Sequence, residues 1–111
     1  MEIRDKMSAG DRVVLAEFAR RVREFLPEAD IRAFGSRARG TAQEDSDLDI
    51  CVVDAVMDHR ISEKVRYIAW EVGFDRDMLI CTVTFNSAEI TAGPLSESPL
   101  VLAIREEGIA A

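Results

Sequence analysis

Two strand-length apolar runs, Asp47 to Val53 and Met78 to Phe85, stand on either side of a stretch in which Ile61, Val65, Ile68, Ala69 and Val72 recur at three- and four-residue steps. Side chains share a face every second residue in a strand and about every 3.6 residues in a helix, so the pattern predicts strand, helix, strand. The helix runs from about Asp58 to Gly73, with Gly73 as its stop. Strands joined through a helix of this length are parallel neighbours with a right-handed crossover. That restricts the chain to an α/β fold and puts the starting ends of both strands together.

The flanking sequence extends the alternation. Ser8 followed by Asp11 suits a helix cap with an acidic partner, and Val14, Leu15, Phe18, Val22 and Phe25 then keep helical spacing until Pro27. Ala29 to Phe34 reads as a strand ending at Gly35, Ser36 to Ala42 as a brief helix, and Gln43 to Ser46 as the loop leaving it. Asn86 to Glu97 reads mostly as loop, with a turn of helix after Ser87. Ser98-Pro99, the apolar Leu100, Leu102 and Ile104, and the terminator Gly108 describe a last short helix. No repeat or linker divides the chain, so residues 1–111 are expected to form one domain of order α-β-α-β-α-β-α with about three strands.

Composition excludes several classes. With 48% hydrophobic and 32% charged residues the chain suits a globular protein and not a disordered one. A net charge of -7 argues against general nucleic-acid binding, which depends on neutralising phosphates with Lys and Arg. No apolar run is long enough to span a membrane, and Met1 to Lys6 is not followed by the apolar core of a signal peptide, so a cytoplasmic protein is expected. Arg20, Arg21 and Arg23 read as a solvated helix face. Cys51 and Cys81 lie in apolar runs without metal-ligand spacing and read as reduced, buried packing residues. His59, beside Asp58, reads as an exposed residue at a helix start. Tyr67 and Trp70 suit core packing or a partner surface better than base stacking. A chain of this length is large enough for a single core and too small for two, so any second function is expected from a partner chain.

The chemistry concentrates between Phe34 and Ile50. Gly35 ends a strand and opens a helix, where a missing side chain lets a ligand approach and unpaired backbone amides favour an anion, most naturally a phosphate. Ser36 adds a hydroxyl donor, and Arg37 or Arg39 could supply charge-assisted bonds. Asp47 and Asp49 are two apart on a strand, so both carboxylates share a face. Such a pair repels itself unless a cation lies between, and hard oxygen ligands sharing an ion with a polyphosphate suit magnesium. The glycine turn and the acid pair meet only if the first two strands are antiparallel, which predicts a mixed sheet.

The segment Phe34-Gly-Ser-Arg-Ala-Arg-Gly, followed after a polar loop by Ser-Asp-Leu-Asp-Ile, resembles the signature of the DNA polymerase β-like nucleotidyltransferase superfamily in its minimal nucleotidyltransferase branch. The likeness is specific over Phe34 to Val53 and extends through element order to the rest. It implies transfer of a nucleoside monophosphate, AMP from ATP foremost, to a hydroxyl, with Gly35 and Ser36 at the triphosphate, Asp47 and Asp49 as magnesium ligands, and two ions in all. It also implies a third carboxylate from the next strand. Asp77, at the start of that strand, is the best substitute and Asp75 a poorer one, although an ordinary acidic turn also accounts for both. Members of this branch often pair with an all-helical HEPN-type toxin and act as its antitoxin. A homo-oligomer is left open. The alternative is a nucleotide-binding scaffold of the same fold that has lost turnover.

Overall fold

The structure, a computed structural model, describes residues 6–111. Helix α1 (Ala9–Val22) starts where the Ser8 side chain accepts a hydrogen bond from the Asp11 amide at 3.1 Å, and it buries Val14, Leu15, Phe18, Ala19 and Val22. Strand β1 (Asp30–Phe34) leads into the five-residue helix α2 (Gly35–Arg39). Strand β2 (Leu48–Asp54), helix α3 (His59–Asp75) and strand β3 (Ile80–Asn86) form the crossover unit. Helix α4 (Ser87–Thr91), a 3-10 turn (Pro94–Glu97), helix α5 (Pro99–Glu107) and strand β4 (Ile109–Ala110) complete the chain.

The sheet has the order β3-β2-β1-β4. β2 and β3 are parallel, as the crossover requires, and β1 is antiparallel to β2. The sheet is therefore mixed, with four strands. The fourth, β4, pairs antiparallel to β1 and has only two residues, too few to show alternation in the sequence.

Strand alternation separates the two faces of the sheet. Leu48, Ile50 and Val52 of β2, with Ile31 and Ala33 of β1, join the buried side chains of α1 and α3 in one core. This is the main hydrophobic contribution to stability, on the order of 2 kcal/mol per fully buried side chain. Asp49, Cys51 and Val53 belong to the opposite face. Towards the far end of β2 that face is covered by α5, where Arg32, Cys51, Val53, Phe85, Val101 and Ile104 line a small cavity. Its near end, at the start of β2, carries the acidic pair.

Other sequence expectations change or narrow. Gly73 does not stop α3, which runs on to Asp75; the residue is buried, and a Cβ there would strike the Met78 carbonyl oxygen, so the glycine serves a close approach of helix and turn. Cys81 is exposed, whereas Cys51 is buried as expected. Of the two roles open to Tyr67 and Trp70, core packing is removed and the surface one left: with Phe74 they form a stacked, exposed row on α3. Of the Arg cluster only Arg20 lies on a solvated face, beside Glu17; Arg21 pairs with Glu71 of α3, and Arg23 donates to the carbonyls of Ala29 and Ala111. No helix among the described residues is long and apolar enough to cross a membrane.

Candidate active site

The site is built where β1 ends and β2 begins. Phe34 pairs with Asp49 across the antiparallel ladder, so the next residue, Gly35, turns directly over the Asp49 carboxylate. Gly35 has φ 76°, a left-handed conformation, and a Cβ placed on it would lie 2.5 Å from Asp49 Oδ2. Conformation and space thus both exclude a side chain here. Ser36 follows in the first turn of α2, and its hydroxyl is bound by no other described residue. Gly40, with φ 75°, closes α2 in the left-handed conformation.

Asp47 lies just before the first ladder residue of β2, and Asp49 lies within the strand, with fully buried Leu48 between them. Burial, first, and the neighbouring charge of Asp47, second, hold the Asp49 carboxyl above the usual range, while Arg39 acts in the opposite direction. On β3 the residue in register with Asp49 is Cys81. Its thiol donates to Asp47 Oδ2 at 3.3 Å and is pushed up to about 11 by partial desolvation of the sulfur, by that hydrogen bond and by both carboxylate charges.

Cys81 therefore stands beside the acid pair on β3, the strand from which the resemblance implies a third carboxylate. Asp77 sits in the turn ahead of β3, exposed and with φ 54°, and lines a groove with Trp70, Phe74, Met78 and Leu79. Asp75 ends α3 beside Glu17, Arg21 and Arg76. Among the described residues no group of three His, Cys, Asp or Glu side chains is assembled to hold a metal ion. His59 is 89% exposed and its ring lies 3.8 Å from Glu63, outside this region, as its place at the helix start suggested.

The two arginines after Ser36 part ways. Arg37 is committed to the protein: its guanidinium donates to both Asp11 oxygens at 3.0 and 3.1 Å, to the Ser46 carbonyl at 2.7 Å and to the Glu44 carbonyl at 3.0 Å. It is not presented to a phosphate. Arg39 is exposed, acts electrostatically on Asp49, and among the described residues is held by Glu107 of α5 at 3.1 Å. An exposed pair of this kind contributes about 1 kcal/mol or less, so a polyphosphate can displace it. Asp11, Cys81 and Glu107 are the partners the sequence did not disclose as part of this site. Asp11 reads there as a capping residue, and Cys81 as one more apolar strand position.

The donor set suits a divalent cation. Two carboxylates converge, one of them raised by burial and by the other's charge, and a cation shared with a polyphosphate relieves both effects. Gly35 brings bare backbone close against the Asp49 carboxylate, leaving no space for a side chain between them.

Comparison with known proteins agrees on the class. No curated protein matches the chain. One solved structure that does, of the Cid1 poly(U) polymerase with MgGTP bound, is 29% identical over a match covering 64% of this chain and 23% of that one, with a TM-score of 0.42. The chain thus spans about a quarter of the length of that polymerase. The family model described as a nucleotidyltransferase domain matches residues 15–105, from within α1 to within α5, and so includes the glycine turn, the acid pair and the crossover. With a mixed sheet that brings the glycine turn and the acid pair to one end of its two inner strands, the chain belongs to the nucleotidyltransferase domain family.

Proposed function

We propose that the chain binds a magnesium nucleoside triphosphate, ATP foremost, and transfers its nucleoside monophosphate to a hydroxyl on an acceptor, with a HEPN-type partner protein as the first candidate. The observation that carries this reading is the close apposition of Gly35 and Asp49, which sets bare backbone at a strand-to-helix turn against a perturbed carboxylate. Gly35 and Ser36 cradle the phosphates, Arg39 leaves Glu107 to bind them, and Asp47 and Asp49 hold the cation. Bound there, magnesium supplies neutralisation of the triphosphate and of the leaving pyrophosphate. The protein's share is orientation and fixed charge.

The test is incubation of the protein with magnesium, α-labelled nucleoside triphosphates and the HEPN-type acceptor, followed by detection of label on protein. Label that depends on magnesium and on Asp49 supports the reading; absence of both label and triphosphate binding sinks it. Arg39→Ala is expected to raise KM for the triphosphate roughly 10- to 100-fold, as loss of a charge-assisted hydrogen bond does, with a smaller change in kcat. An unchanged KM would remove Arg39 from the site.

Cys81 favours a second reading, a nucleotide-binding scaffold with slow or absent turnover, because β3 offers a thiol and no acid beside the pair. Cys81→Asp separates the two. A carboxylate there can accept the acceptor's proton, and a rise in transfer of about 100-fold is expected. Triphosphate binding without transfer in the wild type, with transfer gained in Cys81→Asp, would establish the scaffold.

A further inference from the structure

We propose that Asp11 and Arg37 are positioning residues, whose buried ion pair sets the loop that delivers Asp47. The proposal rests on the reading of Asp47 as a ligand of the transfer site. Asp11 is the one buried polar residue among those described, and the side chains of the pair are only 10% and 12% exposed. Ion pairs taken out of water gain little net stability over apolar residues of the same size. Placement of the chain is the use that remains for this one.

That placement is read from the acceptors. Three nitrogens of one planar guanidinium reach the Asp11 carboxylate on α1 and two carbonyls, of Glu44 and Ser46, in the loop between α2 and β2. The loop is closed on itself, since the Ser46 amide donates to the Gln43 carbonyl at 3.0 Å and the Gln43 amide to Ser46 Oγ at 2.9 Å. Asp47 is the next residue.

Asp47 also differs from Asp49 in what fixes its backbone. Asp49 is paired in the ladder on both sides, with Phe34 and with Cys81, whereas pairing on β2 begins at Leu48. The orientation of Asp47 is therefore inherited from the loop, and the loop from Arg37. Because Arg37 also follows Gly35-Ser36 on α2, one side chain ties the glycine turn to the acid loop. Lysine, with a single nitrogen, cannot span three such acceptors.

The test compares Asp11→Asn and Arg37→Lys with the wild type and with a core control, Val22→Ala, which sits fully buried at the far end of α1. All are assayed at a temperature where circular dichroism shows them folded. Both site variants are expected to lose roughly 10- to 100-fold in kcat/KM, the scale of a misplaced catalytic group, with a weakened Mn2+ affinity, while the control keeps both. Amide hydrogen exchange is expected to quicken at residues 43–47 in the site variants and to stay unchanged across the β1–β2 ladder. Wild-type kinetics and exchange in both variants, or equal losses in the control, would overturn the proposal. Should the wild type itself show no transfer, the proposed function fails and exchange alone decides: selective loosening of 43–47 supports the clamp, uniform or absent loosening rejects it.

Discussion

Asp49→Asn is expected to reduce transfer by at least 10²- to 10³-fold, the scale of losing one preorganised electrostatic partner of a transition state, and yet to yield a protein more stable than the wild type at pH 7 without divalent cations. The two effects have one cause. The Asp49 carboxyl titrates above its ordinary range because burial and the Asp47 charge both oppose its ionisation. A group raised by folding favours the folded state while protonated, below its unfolded value of about 3.9, and that advantage disappears as pH rises through the folded value. At pH 7 the ionised pair is therefore a burden on the metal-free fold. Asparagine keeps the shape and removes the charge.

Thermal melts check this directly. The stabilisation of Asp49→Asn over wild type should be present at pH 7 and shrink as pH falls towards the unfolded carboxylate range. Saturating magnesium and triphosphate should raise the wild-type Tm and leave the variant's unchanged, since only a species bound to the folded state stabilises it. A variant that melts below the wild type at pH 7 would show that the Asp49 carboxylate is stabilising as it stands.

The second large effect is expected from Gly35→Ala. A left-handed φ of 76° opposes any Cβ, and this Cβ would also meet Asp49 Oδ2 at 2.5 Å. Either the turn opens or the carboxylate moves, and each separates the proposed phosphate cradle from the proposed cation ligands. Transfer should fall as far as in Asp49→Asn, but here the Tm should fall too. Gly10→Ala is the matched control, because it lies in α1 with nothing within 4 Å of its new Cβ. It is expected to gain about 0.5–1 kcal/mol of stability at unchanged activity. Full activity in Gly35→Ala would mean that the turn and the acid pair do not work together.

The contrast between these residues shows what the sequence discloses. The motif was legible because its parts follow local rules: glycine at a strand-to-helix turn, two acids with strand spacing, an apolar run behind them. From these came the antiparallel pairing of the first two strands, and the register of Phe34 with Asp49 agrees with it. The crossover between β2 and β3 was legible for the same reason, its helix having a clear period.

Features set by contacts distant in sequence were not. Arg37 and Arg39 look equivalent in a string of residues, and only packing against Asp11, 26 residues away, takes Arg37 out of the site and leaves Arg39 facing it. Cys81 counts as apolar in any pattern, and parallel register, with Asp47 34 residues away, is what sets it beside the acids. Asp77 reads as well placed because parallel strands share their starting ends, but β3 starts at Ile80, and the left-handed turn at Asp77 leaves that residue lining the groove beside Trp70 and Phe74. Gly73 reads as a helix stop for a similar reason, since a glycine needed for close approach and one that ends a helix are the same letter.

The central claim is that the glycine turn and the acid pair together hold a magnesium triphosphate. Isothermal titration of the wild type and of the Asp47→Asn, Asp49→Asn double variant with a nonhydrolysable ATP analogue, with and without magnesium, tests it most directly. The account predicts saturable one-to-one binding to the wild type that requires magnesium and is lost in the double variant. Binding of equal affinity in both proteins, or none to the wild type, would contradict it.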